Sequence, residues 1–122
     1  MDTRNKILTG PEAVVGRPLA VVTGYFDVLR AEHARELAQV RSGTRGSALL
    51  VVVSQGSDAL LPLAARAELV AALRVVDYVL TADDGDVDAL IETLKPTVVV
   101  RLETEDAGRV RRLKEHVQQR QA

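Results

Sequence analysis

Short apolar runs alternate along this chain of 122 residues with segments in which apolar positions recur every three or four residues. A continuous apolar run is typical of a strand that is covered on both faces, and the wider spacing is typical of a helix with one apolar face. The clearest strand is 49–53, where every position is Leu or Val. The pattern predicts strands at 19–22, 49–53, 75–80 and 97–101, and helices at 31–40, 63–74, 87–94 and 103–119.

This alternation predicts one α/β domain with three layers, in which helices cover a parallel sheet and the connections are right-handed. No repeat, linker or low-complexity tract divides the chain. We therefore expect a single domain over 1–122, with 1–17 as an N-terminal lead-in and 103–120 as a C-terminal helix.

The composition excludes several classes of protein. With 16 basic and 17 acidic residues, the chain has no general attraction to nucleic acid or to a membrane surface. The absence of cysteine excludes disulfides and thiolate metal sites. Aromatic residues make up only 2%, so the core must be built from Val, Leu and Ala. The first residues lead into no long apolar segment, which predicts a cytoplasmic protein.

The segment after the first strand is the best candidate for a ligand site. In a parallel α/β sheet, ligands bind beyond the carboxyl ends of the strands, where the strand order reverses. Gly24 ends the first strand and leads into a helix, whose first backbone N–H groups are free to bind a phosphate. The loop at 54–58 should lie beside it. Many α/β domains have a glycine in this turn and bind nothing there, so the pattern alone leaves both interpretations open.

Residues 24–33 read Gly-Tyr-Phe-Asp-Val-Leu-Arg-Ala-Glu-His. This segment resembles the signature of the cytidylyltransferase-like nucleotidyltransferases, Gly-x-Phe-Asp-x-x-His-x-Gly-His. Arg30 stands at the first histidine of the signature, and Glu32 stands at its second glycine. The matching positions are Gly24, Phe26, Asp27 and His33.

Further segments agree with the same family in order and spacing, from about position 5 to position 101. Residues 66–79, an arginine-led helix that runs into Val-Asp-Tyr-Val, look like its second hallmark. Residues 94–101 are similar to its Leu-Lys-Pro-Asp-Val-x-Val-Lys segment, and Ser57-Asp58 resembles the Asn-Ser-Asp that closes its second strand. The whole stretch is similar to the cytidylyltransferase-like domain of ADP-heptose synthase and to glycerol-3-phosphate cytidylyltransferase.

The resemblance implies a Rossmann-like fold of the nucleotidyltransferase type. It implies that CTP or ATP, bound with Mg²⁺, reacts with a sugar or polyol phosphate and releases pyrophosphate. His33, and Arg30 in place of the first histidine, would act as catalytic residues on the phosphoryl oxygens, and the resemblance supplies no protein metal ligand. Arg66 and Arg101 are equally compatible with a role as surface charges. The nucleotide-binding positions it implies are Gly24, Tyr25, Phe26, Asp27, Ser57, Asp58, Arg66 and Arg101.

Several departures from the family pattern indicate lost activity. Glu32 brings a carboxylate to a position where backbone should approach phosphate, and two unit charges 4 Å apart interact by about 4 kcal/mol at an effective dielectric constant near 20. The segment between 58 and 66 is short and lacks the basic residues of the family. Leu102 replaces a glycine, and the mostly acidic segment Glu-Thr-Glu-Asp at 103–106 stands in place of a Ser/Thr-rich motif. We therefore expect a degenerate domain that acts as a binding, regulatory or assembly module.

Two other hypotheses stay open at this point. The first is an active nucleotidyltransferase with a variant motif, in which Arg30 and His33 act together on the α-phosphate. The second is an unrelated flavodoxin-like domain whose match to the motif is accidental. In addition, the resemblance implies a homodimer, and the apolar segment 60–63 would form a patch that association covers if it is exposed.

Overall fold

Four parallel strands form the centre of the computed structural model, which describes residues 2–27, 29, 31–57 and 59–103. The order across the sheet is β3-β2-β1-β4, so the chain moves outward from β1 to β3 and then returns to the other side of β1. The strand order therefore reverses between β1 and β4. This arrangement confirms the predicted α/β fold with a parallel sheet. The strands are β1 (Leu19–Gly24), β2 (Ala48–Ser54), β3 (Tyr78–Ala82) and β4 (Val98–Arg101).

Three α-helices connect the strands, and short 3-10 helices flank them. None of the helices in the described part of the chain is both long and apolar enough to cross a membrane. The α-helices are α1 (Ala31–Gly43), α2 (Leu63–Ala71) and α3 (Val87–Leu94), and the 3-10 helices are Thr3–Lys6, Pro11–Ala13 and Asp84–Asp86.

The structure corrects some of the predicted boundaries. α3 has the predicted bounds, whereas β1, β2 and α1 extend a little beyond theirs and β4 begins one residue late. The predicted end of α2 at 74 and start of β3 at 75 are wrong, because the chain turns between them. The N–H of Leu73 donates to the carbonyl of Val70, and the N–H of Val76 donates to that of Leu73. The predicted helix at 103–119 lies, apart from Glu103, outside the described residues.

Each face of the sheet carries its own apolar cluster, because successive strand residues point to opposite faces. α1 and α2 cover one face, and α3 covers the other together with Val14, which follows the 3-10 helix Pro11–Ala13. The first cluster contains Ala20, Val22, Phe26, Leu37, Leu49, Val51, Val53, Ala67, Val70, Ala71, Val76, Val79 and Leu102. The second contains Val14, Leu19, Val21, Leu50, Val52, Leu80 and Leu94.

The position of β1 in the sheet determines where a ligand site can form. β1 is buried over its whole length, whereas β4 exposes Val98 and Val99 at the edge of the sheet. The carboxyl end of β1 therefore emerges in the middle of the sheet, between the carboxyl ends of β2 and β4. This is the edge at which parallel α/β proteins bind ligands.

Candidate functional site

The chain changes direction directly after β1. Phe26 has a φ of 50°, in the left-handed region that residues with side chains rarely adopt. This conformation separates two neighbouring rings. Phe26 is fully buried in the core, and Tyr25 lines a cavity at the surface. Unusual backbone conformations of this kind cluster at functional sites, where the surrounding structure maintains them.

The two aromatic residues of the family signature contact each other inside the protein. His33 lies in the first turn of α1 and is only 1% exposed. Its ring centroid lies 5.3 Å from that of Phe26, at an interplanar angle of 52°. Glu32, the neighbour of His33, is exposed. The signature histidine is thus packed as a core residue at the start of α1.

Asp27 fixes the loop that leads from β2 to α2. Its carboxylate is 2% exposed and accepts two backbone hydrogen bonds, from the N–H of Leu60 at 2.6 Å and from that of Leu61 at 2.8 Å. The side chains of the two leucines are nevertheless 51% and 38% exposed. A buried carboxylate therefore holds the backbone of these two leucines, while their apolar side chains contact solvent.

Arg66 joins three segments of the chain at the same place. The residue is completely buried, and four of the five N–H donors of its guanidinium group bind carbonyl oxygens at 2.6–3.0 Å. The acceptors are the carbonyls of Tyr25, Ser54, Gln55 and Leu61. Arg66 thus ties the exits of β1 and β2 to the start of α2. Asp27 and Arg66, with the backbone groups that they hold, are called the buried bracket below.

A cavity of about 180 Å³ lies at the carboxyl ends of β1 and β4, where the strand order reverses. One wall is the ring of Tyr25, which packs against Gly56. Gly56 has a φ of +70°, and a Cβ atom there would lie 3.1 Å from the ring. The position therefore needs glycine for its conformation and for its space. The lining residues are Tyr25, Ser54, Asp84, Val87, Asp88, Arg101 and Glu103.

The described lining of the cavity is predominantly acidic, with three carboxylates and one guanidinium group. That guanidinium belongs to Arg101, whose Nη2 lies 2.6 Å from the Oδ1 of Asp88. The Oδ1 of Asp84 accepts a hydrogen bond of 3.0 Å from the N–H of Gly56. We call Asp84, Asp88, Arg101 and Glu103 the cavity rim.

The structure brings only some of the sequence-predicted site residues to the cavity. Tyr25 and Arg101 line it, and the carbonyl of Gly24 accepts a hydrogen bond of 3.2 Å from the Ser54 hydroxyl beside it. Ser57 is exposed in the loop after β2. Arg30 and Asp58 lie outside the described residues, and their predicted roles stay predictions. The remaining four, which are buried and contact protein groups, are Phe26, Asp27, His33 and Arg66.

Sequence reasoning missed part of the lining. The acidic run 83–86 predicts a loop that suits the start of a helix, where carboxylates meet the positive end of the helix dipole. Glu103 is expected only as part of the acidic segment near the site. Ser54 opens the loop 54–58 that is expected beside the site, and it lines the cavity. Nothing in the sequence marks Asp88 as a lining residue. Its placement depends on the return of the chain from β3 across β1, which carries the start of α3 over the point where the strand order reverses.

The described residues do not fit a nucleotide triphosphate bound with a metal ion. Arg66 is directed at carbonyl oxygens and Arg101 at a carboxylate, and the cavity presents two further carboxylates to an incoming anion. Across the described ranges, no group of three or more His, Asp or Glu side chains is arranged to hold a metal ion. No phosphoryl-transfer step follows from this arrangement.

Comparisons with known proteins point to one family. No family model matches the chain. The chain is 37% identical over 117 residues to the bifunctional protein HldE of Geotalea uraniireducens, a match that covers 82% of this chain and 23% of that protein. It is 33% identical over 85 residues to the FAD synthase of Methanoregula boonei, covering 65% of this chain and 56% of that protein. The chain thus spans about a quarter of the HldE protein and about half of the FAD synthase.

A solved structure agrees with these relatives. The lipopolysaccharide core biosynthesis protein of Thermoplasma volcanium superimposes with a TM-score of 0.61 and 26% sequence identity, over 69% of this chain and 73% of that one. The parallel sheet, the sequence relatives and this structural neighbour agree with the signature at residues 24–33. In sequence and in fold, the chain resembles the cytidylyltransferase-like nucleotidyltransferases.

Proposed function

We propose that this chain is a nucleotidyltransferase-family domain that has lost efficient nucleotidyl transfer and acts as a binding, regulatory or assembly module. The observation that carries the proposal is that both arginines assigned to phosphate and described in the structure already have protein partners. Arg66 donates to four carbonyl oxygens, and Arg101 is paired with Asp88. Nucleotidyl transfer depends on neutralising charge at phosphoryl oxygens, whereas Arg66 is directed at carbonyl oxygens and the charge of Arg101 is offset by a carboxylate.

The burial of His33 supports the same proposal. A histidine that donates to a phosphoryl oxygen must reach the ligand, but this ring is 1% exposed and packs on Phe26. Moving it outward would leave a void beside a core residue, and such voids are costly in close-packed interiors. The alternative, an active enzyme in which Arg30 and His33 act together, therefore requires a rearrangement at the start of α1.

Pyrophosphate release tests the proposal directly. The protein is incubated with CTP or ATP and Mg²⁺ over a panel of sugar and polyol phosphates, with an active nucleotidyltransferase of the family measured in parallel. We expect release no faster than in a blank without protein. Turnover by the wild-type protein would contradict the proposal, and its loss in a folded His33→Gln variant would establish the alternative. The use of Mg²⁺ with CTP or ATP, and a cytoplasmic location, stay predictions.

We also propose that the domain associates with a second copy of itself. Leu60 and Leu61 are exposed on a backbone that the buried bracket holds, and apolar side chains in a fixed arrangement favour association. Light scattering over rising protein concentration should give the mass of a dimer. The double variant Leu60→Ser/Leu61→Ser should be monomeric, whereas Val15→Ser, which alters a residue 50% exposed elsewhere, should behave as wild type. A monomeric wild-type protein at high concentration would count against this proposal.

A further inference from the structure

We infer that Asp88 sets the ligand preference of the cavity against phosphate, because this carboxylate forms an ion pair with Arg101. Arg101 is the one basic side chain among the described residues that line the cavity. The inference rests on the proposed function, since it names the contact that weakens phosphate binding at this site. The Nη2 of Arg101 lies 2.6 Å from the Oδ1 of Asp88. An anion that approaches Arg101 in the cavity therefore meets the negative charge of Asp88 beside the guanidinium, and this repulsion offsets part of the attraction.

The backbone on each side of this ion pair is fixed by the fold. Arg101 is the last residue of β4 and lies opposite Thr23 of β1 in the register. The next residue, Leu102, is buried and donates its N–H to the Thr23 carbonyl at 2.7 Å. Asp88 follows Val87, which is 4% exposed and anchors the first turn of α3. Both side chains therefore start from anchored positions and face the same cavity.

The ion pair contributes little to the stability of the fold, and its main effect is on the charge of the cavity. Its side chains are 51% and 81% exposed, and ion pairs screened by solvent in this way contribute little to stability. Three carboxylates against one guanidinium leave two net negative charges on the described lining. Each carboxylate repels phosphate, so the cavity favours an uncharged or cationic ligand over a phosphate ester.

Asp88 has a second effect that the test must separate from this one. It lies in the first turn of α3, where a carboxylate interacts favourably with the helix dipole. Asp86 immediately precedes the same helix, is exposed, and does not line the cavity. Asp86→Asn therefore removes one negative charge near the same helix start without releasing Arg101, and it is the matched control for Asp88→Asn.

Calorimetric titration with inorganic pyrophosphate, in the absence of Mg²⁺, measures the effect on the full chain at low and high salt. We expect Asp88→Asn to bind pyrophosphate about tenfold more tightly than wild type at low salt. Asp86→Asn should change the affinity by less than about twofold. Once Arg101 has been replaced, the loss of Asp88 should bring no gain in affinity, so Asp88→Asn/Arg101→Gln should bind pyrophosphate no more tightly than Arg101→Gln. At high salt, where exposed charges are screened, most of the gain of Asp88→Asn over wild type should be lost.

Equal affinities for Asp88→Asn and Asp86→Asn would overturn the inference, and so would a gain that survives the loss of Arg101. Thermal unfolding of each variant shows that the protein titrated is folded, and Asp88→Ser replaces Asp88→Asn if the latter does not fold. Release of pyrophosphate from CTP by the wild-type protein would instead contradict the proposed function. The ratio of affinities between the variants would still decide the role of Asp88.

Discussion

The buried bracket and the cavity rim lie on either side of Tyr25, and they hold charged side chains in opposite ways. In the bracket, Asp27 and Arg66 are at most 2% exposed, and their hydrogen bonds go to backbone groups. In the rim, Arg101 and Asp88 form an ion pair in contact with solvent. Tyr25 belongs to both regions, since its carbonyl accepts from Arg66 and its ring lines the cavity.

The difference shows that the same residue types can serve folding or ligand binding, depending on burial. A buried charge that loses its partners is strongly destabilising, so the bracket cannot change without a cost in stability. An exposed charge is screened by solvent, so a substitution in the cavity rim can alter the ligand preference while the protein stays folded. The match of Asp27 and Arg66 to the family pattern is accounted for by folding and does not by itself indicate activity.

The largest effect expected in either region is that of Arg66→Met. The substitution leaves four carbonyl oxygens without the donor that they share, around a side chain that is itself completely buried. We expect the free energy of unfolding, measured with urea and circular dichroism, to fall by about 3 kcal/mol or more. Arg74→Met makes the same chemical change at an exposed position, and it should lower the free energy of unfolding by less than about 0.5 kcal/mol.

If Arg66→Met does not fold, Arg66→Lys provides the measurement. Lysine keeps the positive charge but presents its donors from a single nitrogen, which cannot reproduce the fork of the guanidinium. We expect Arg66→Lys to be less stable than wild type by about 2 kcal/mol. If Arg66→Lys were as stable as wild type, a positive charge alone would be sufficient at position 66. The contrast between the buried bracket and the cavity rim would then be wrong.

Asp27→Asn should have the next largest effect. Asparagine keeps one acceptor oxygen but places an amide donor against one of the backbone N–H groups that the carboxylate now accepts. We expect a loss of about 1–3 kcal/mol in unfolding free energy. Faster hydrogen exchange should be confined to the amides of Leu60 and Leu61. Asp83→Asn, at an exposed position without a side-chain capping bond, is the control and should change neither quantity measurably.

Gly56→Ala probes the wall that the two regions share. Both Gly56 and Gly46 have positive φ, at +70° and +86°, so alanine is strained at either position. Only at Gly56 would the new Cβ meet another group, the ring of Tyr25 at 3.1 Å. We expect each variant to lose about 1 kcal/mol. Gly56→Ala should in addition shift the NMR signals of the Tyr25 ring. If the NMR signals of the Tyr25 ring were the same in Gly56→Ala as in wild type, this wall of the cavity would not be rigid.

The sheet could be predicted from the sequence because it depends on local pattern and general topology, and the same topology directs the search for a site to the carboxyl end of β1. The run 49–53 identified a buried strand, and Gly24 marked the end of β1. The direction of single side chains could not be predicted. The positive φ of Phe26 turns its ring inward, and the packing of α2 under the loop sends Arg66 to carbonyl oxygens. The position of Asp88 follows from a crossover that no short motif records.

The smallest effect on stability is expected for Arg101→Gln, and it tests the other half of the contrast. Arg101 and Asp88 are 51% and 81% exposed, so the ion pair is screened and its loss should cost less than about 0.5 kcal/mol. Raising the salt concentration should narrow the difference from wild type further, because dissolved ions screen the attraction between exposed charges. The measurement is the urea unfolding midpoint at low and high salt, beside Arg66→Lys. If Arg101→Gln lowered the stability as much as Arg66→Lys does, the cavity rim would also support the fold. A substitution in the rim would then alter stability together with ligand preference.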